Sequence, residues 1–175
     1  MVVDQPVLRE SWGGIVTRGV VGGIVAGGAF LALNMWFATS VGDPAKGPLL
    51  MMSTIVKGDE AMMAGTASIG VGLAVHAVLS AAFGVVFAAL ASRLRSAGAI
   101  AAAGVAFGAA LYLVNFKVLS PALFTTFEMA NQPFELVVHV VFGALLALAL
   151  LVPPARVVSG RRDAATVPAG ARAIA

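Results

Sequence analysis

Apolar positions along this chain collect into four long runs, at about 19–38, 70–91, 98–116 and 134–152, with short polar stretches between them. Each run is close to the roughly 20 residues an α-helix needs to cross a hydrocarbon core about 30 Å thick. The pattern predicts an all-α fold, an integral membrane four-helix bundle running up-down-up-down. Its parts are an N-terminal tail over 1–18, a four-span bundle over 19–152 and a disordered tail over 153–175.

Within the runs the few small and polar residues are not scattered. In the second run, steps of four from Gly72 give His76, Ser80 and Gly84. Positions four apart share a helix face, so one small, polar stripe lies on an otherwise apolar helix. In the fourth run, steps of four from Glu135 give His139, Gly143 and Ala147. Gly19, Gly23 and Gly27 in the first run, and Gly104 and Gly108 in the third, repeat the spacing that lets membrane helices approach closely.

The connections carry turn signals. Gly42-Asp43-Pro44 and Gly47-Pro48 open the longest one, over 39–69. Leu49 to Val56 is too short to span and suits a short interfacial helix. Pro121 and Pro133 punctuate the loop over 118–133, and Pro153-Pro154 stops the last run. Trp36, Phe37, Phe116, Phe124, Phe127 and Phe134 read as an interfacial aromatic belt. The first run exceeds the usual signal-peptide core and has no clean A-x-A site before Asp43, so it reads as a retained span. A short internal repeat pairs GAFLALNMWF at 28–37 with GAALYLVNF at 108–116, each with an asparagine near the outer end.

Composition agrees with the pattern. Charged residues make up 11% of the 175, against roughly 25% in a soluble domain, and mean hydropathy is +0.99. The absence of cysteine excludes disulfides, iron–sulfur clusters, thiolate zinc and covalent c-type haem. Net charge is only +3, and the basic residues report topology, not nucleic-acid binding. Arg9, Arg18, Arg93, Arg95, Arg156, Arg161, Arg162 and Arg172 fall on one side, and Lys46, Lys57 and Lys117 on the other. The positive-inside rule then puts both termini in the cytoplasm of a bacterial inner membrane.

The candidate chemistry is one polar level. His76 and His139, the two histidines of the chain, each fall some 7–9 Å below the outer end of their runs at about 1.5 Å per residue. Asn34 and Asn115 share that leaflet, with Glu135 and Lys117 just above. Intramembrane polar groups normally face the bundle interior. One reading is a haem b held axially by His76 and His139, with Asn34, Asn115 or Glu135 holding the second imidazole nitrogens. Gly27, Gly28, Gly72, Ser80, Gly104, Gly108 and Gly143 would give the macrocycle room. The other reading is helix packing and partner contact.

Further chemistry is weaker. Met35, Met51, Met52, Met62, Met63 and Met129 on the outer side admit copper(I). A small solute, proton or copper transporter is a third class, although no acid lies deep in a span. His76 and Ser80 have no third triad member. The sequence thus points to a non-enzymatic, multi-pass membrane protein with no secure cofactor. Its expected partners are the bilayer and other membrane subunits or a second copy, with haem electron transfer as the runner-up.

Overall fold

The computed structural model describes residues 11–152, and these are helical and without strands. Four helices are long and apolar enough to cross a membrane: Trp12–Ser40 (α1), Ile69–Ala91 (α3), the continuous stretch Ala97–Leu123 and Gln132–Leu151 (α6). A shorter helix, α2 (Gly47–Lys57), sits in the first long connection. The expected disordered segment at 153–175 lies outside the described residues, as do residues 1–10 of the expected N-terminal tail.

Each long helix starts where a short polar side chain accepts from the first turn. Ser11 accepts from the Gly14 amide at 3.2 Å, Ser68 from Val71 at 3.4 Å, Ser96 from Ala99 at 3.1 Å and Asn131 from Phe134 at 3.0 Å. Such caps satisfy otherwise orphaned N–H groups. The Ser11 cap explains why α1 begins at Trp12, well before the apolar run at 19. Likewise the third helix outlasts its run. Regular α4 (Ala97–Tyr112) passes into a π segment over Leu113–Leu119 and then α5 (Ser120–Leu123). In the wider turn the Ser120 amide reaches the Asn115 carbonyl, and Pro121, which has no N–H, sits where none is needed.

Packing follows the small-residue stripes. α1 packs on α3, α4 on α6, and α1 on α6, whereas α3 and α4 barely touch. A Cβ on Gly19 would come within 2.6 Å of the Val85 Cα, and one on Gly23 would meet the Ser80 carbonyl. α1 and α3 therefore run antiparallel at backbone contact. Along the other seam, a Cβ on Gly104 would lie 2.5 Å from the Gly143 carbonyl oxygen, and one on Gly108 would strike the His139 carbonyl. Gly84 and Gly143 face the same seams from the opposite helices, against Gly19 and Gly104. Without a hydrophobic drive between helices in lipid, this close approach supplies the attraction through dispersion. Gly72 differs: its neighbour is the Leu49 carbonyl of α2, so the stripe on α3 ends under the short helix and not against a span.

The two halves of the bundle differ in density. Toward the chain termini, Ala26, Phe87, Ala91, Phe142, Leu146 and Ala147 form a closed core. There the Arg18 guanidinium donates to the Leu150 carbonyl, one of the carbonyls an ending helix leaves open. Toward the loops, α2 covers α3. Ser53 accepts from the Ser68 amide at 3.1 Å, and Lys57 donates to the Thr66 carbonyl at 2.8 Å. Asp59 then ties the two long connections together. Its carboxylate accepts from the hydroxyls of Thr125 and Thr126 at 2.6 and 2.8 Å and from their amides at 2.8 and 3.3 Å.

Candidate functional site

Between this loop layer and the closed core lies a cavity of about 620 Å³. Its size is that of a small-molecule site, for which about 300–1,000 Å³ is typical. The four spans and α2 all contribute. α1 brings Phe30 and Asn34, α2 brings Met51, Met52 and Ile55, and α3 brings His76, Leu79 and Phe83. The third span brings Phe107, Ala110, Val114, Asn115 and Phe116, and α6 brings Glu135, His139 and Phe142. Ala110 and Val114 are also exposed on the outer surface of the bundle. Leu79 and Phe83 line the cavity from α3, across the loose α3–α4 seam.

Both histidines line this space, and backbone carbonyls fix their tautomers. The His139 Nδ1–H donates to the Glu135 carbonyl at 2.7 Å, which leaves Nε2 with a lone pair. The His76 Nε2–H donates to the Gly27 carbonyl at 2.9 Å, with the Ser80 hydroxyl 3.5 Å away, so its lone pair is on Nδ1. A carbonyl oxygen only accepts, and this decides each assignment. The second imidazole nitrogens are thus held by main chain. Neither asparagine does that work: Asn34 donates to the Phe30 carbonyl at 3.2 Å, and among the described residues Asn115 makes no side-chain hydrogen bond. The Glu135 carboxylate comes only to 3.7 Å from the His139 Nδ1.

Most of the residues expected to make room for a macrocycle are occupied otherwise, although Ser80 lines the cavity. Gly104, Gly108 and Gly143 are filled by helix–helix contact, and Gly27 faces the Ser80 side chain. Gly28 lies on the outer surface with nothing near it. The open space is instead walled by aromatic rings. Phe30 stacks on His76 at 5.9 Å and meets His139 edge-on at 4.9 Å, so a flat group gripped between the imidazoles would compete with this ring. Phe116 and Tyr112 approach His139 at 5.5 and 6.1 Å. The methionines do not gather: Met51 and Met52 line the cavity, whereas Met63 and Met129 are exposed in the loops. Among the described residues no group of three or more His, Asp or Glu side chains is placed to hold a metal ion.

The aromatic belt also needs correction. Trp36 is 62% exposed, as a lipid-facing ring should be. Phe116 is buried, Phe124 and Phe127 line the cavity, and Phe37 stacks on Phe134 at 4.0 Å. The reason is local: the π turn and the loop layer swing these rings inward over the void. Phe30, the ring that touches both histidines, was not singled out in the sequence. Its signal was its place four residues before Asn34, on the same helix face.

The polar groups bordering the cavity are deeply buried. His139 is 6% exposed, His76 8%, Glu135 8% and Asn34 9%. No fully buried side-chain nitrogen or oxygen among the described residues lacks a hydrogen-bond partner. The Glu135 carboxylate and the His139 Nε2 have no donor, so these atoms open onto the cavity and not onto packed protein. An apolar chamber with a few convergent polar groups is the common form of a ligand site. Comparison with protein-family models, with curated proteins and with solved structures finds no match to this chain.

Proposed function

We propose that this chain is a multi-pass, non-enzymatic accessory protein of the plasma membrane that holds one amphiphilic molecule inside its bundle. In this reading the four spans run up-down-up-down with both termini in the cytoplasm. The ligand enters from the bilayer between α3 and α4, and a larger membrane assembly makes use of it. The observation that carries the reading is the aromatic-walled cavity of about 620 Å³, with buried polar groups at one end and an exposed rim at Ala110 and Val114. A void this large inside a small bundle forfeits dispersion contacts that a packed core would have, which argues for an occupant.

The test is to purify the protein in mild detergent and to identify co-extracted small molecules by native mass spectrometry. Ala110→Trp serves as the comparison, because it places a large ring at the exposed rim without touching the glycine seams between α1 and α3 or between α4 and α6. The expected result is one amphiphile per chain in the native protein and its loss in the variant. An empty native protein, or equal occupancy in the two, would refute the proposal. An absorption spectrum of the same sample checks the haem alternative, since a b-type band would identify the occupant directly.

A further inference from the structure

We infer that the ligand of this cavity is a cationic amphiphile, a protonated lipophilic amine whose head is read by Glu135 and His139; this rests on the ligand-holding function proposed above. The argument is one of hydrogen-bond and charge balance. Among the described residues Glu135 is the only acid bordering the cavity, and no lysine or arginine lines it. Lys117, the nearest candidate counter-ion in sequence, is engaged elsewhere. Its ammonium donates to the Gln132 side-chain oxygen at 3.1 Å and lies 5.6 Å from the Tyr112 ring centroid. Among the described residues the Glu135 carboxylate has neither a salt bridge to a lysine or arginine nor a hydrogen-bond donor.

The neighbouring groups want the same thing. With its Nδ1–H tied to the Glu135 carbonyl, His139 offers a lone pair at Nε2. His76 offers another at Nδ1, because its Nε2–H is tied to Gly27. Acceptors therefore outnumber donors at the polar end, where among the described residues the Asn34 and Asn115 amides and the Ser80 hydroxyl have hydrogens to spare. A ligand that brings donors and positive charge answers that excess. A neutral alcohol brings one donor but no counter-charge, whereas an ammonium brings both, and a carboxylate in a low-dielectric site needs that counter-charge to stay ionised. The Phe30 and Phe116 rings stand beside His139, and an ammonium seated over a ring face there is attracted to it. The apolar remainder of the cavity, running past Phe107 to the lipid-facing rim, takes the tail.

The experiment uses the full chain in phosphatidylcholine nanodiscs, with dodecylamine and dodecanol as probes of equal chain length. Apparent affinities are read from the ligand-dependent shift in thermal unfolding. The native protein should bind the amine at least about tenfold more tightly than the alcohol. Glu135→Gln should lower amine affinity by about ten- to a hundredfold, the range for a charged hydrogen-bond partner, and leave the alcohol unchanged. Glu135→Asp should keep the preference for the amine. Equal binding of the two probes to the native protein overturns the inference while leaving the cavity a ligand site, and this comparison needs no variant. A preference that survives in Glu135→Gln overturns it too. Failure of both probes to stabilise the native protein removes the ligand-holding reading itself.

Discussion

Replacing Gly108 by alanine isolates the seam between α4 and α6. The built Cβ meets the His139 carbonyl oxygen, with its carbon at 2.8 Å and the Val140 Cα at 2.9 Å. All three are backbone, so no rotamer change relieves the clash. Ordinary contact lies near 3.5–4.0 Å, so the helices must part by about 1 Å. A gap of 0.5–1 Å forfeits a quarter to a half of each dispersion well, and the wells are about 0.1–0.2 kcal/mol per atom pair. Over a few tens of pairs the loss is about 1–2 kcal/mol, within the ~1–3 kcal/mol usual for overpacking. Alanine also gains up to about 1 kcal/mol of helix propensity over glycine. The control is Gly28→Ala, in the same protein and on a helix, where a Cβ meets nothing within 4 Å. It keeps the propensity gain without the clash. Unfolding in mixed micelles titrated with SDS, followed by far-UV circular dichroism, should therefore separate the two variants by about 1–3 kcal/mol, with Gly28→Ala the more stable. Equal shifts in the same direction would show that the α4–α6 seam is not held at backbone contact.

Three other perturbations probe the loop layer and the cavity wall. The Thr125 and Thr126 hydroxyls, and after them their amides, hold the Asp59 carboxyl below its ordinary value of 3.8. A lowered folded pKa means that the tie is complete above that value and is lost as pH falls through the folded one. The protection of the Thr125 and Thr126 amides, taken against the intrinsic exchange rate at each pH, should therefore fall on acidification below about pH 4 in the native protein, whereas in Asp59→Asn it should be low throughout; an acid-insensitive protection in the native protein would contradict this. Ser53→Ala strands the Ser68 amide and should cost about 1–3 kcal/mol in the SDS titration, with no change expected if water reaches that amide. Phe30→Ala removes ring contacts to His76, His139 and Phe142, worth about 0.5–1.5 kcal/mol each; a stability equal to native would mean that this ring is not part of the wall.

Much of the helix framework is legible in the sequence because two strong signals act together. Apolar runs of spanning length mark the helices, and four-residue spacing marks the faces that meet. Gly72, His76, Ser80 and Gly84 are four consecutive steps on one stripe, and all four are buried. Helix ends are less legible, because a cap such as Ser11 or a π turn at Leu113–Leu119 extends a helix without changing hydropathy. The cavity is illegible for a different reason. It lies where α3 and α4 barely touch, and no residue records a contact that is not made. Phe116 shows the difficulty. Beside Asn115 and Lys117 it has the composition of a membrane interface, and only the π turn places its ring inward.

The loose seam between α3 and α4 has a consequence for how such a site fills. In the proposed reading its rim residues, Ala110 and Val114, which line the cavity and are exposed, face the bilayer and not water. The reservoir is then a two-dimensional one, and occupancy follows the mole fraction of ligand among neighbouring lipids instead of its aqueous concentration. On the loop side, the Asp59 tie spans the connections that precede α3 and follow the third span, so a wider mouth must come from sideways motion within the leaflet. Lateral pressure in that leaflet opposes such motion directly. The exchange rate of this protein would therefore change with acyl-chain composition at fixed ligand content, which makes the host membrane itself a control on its occupancy.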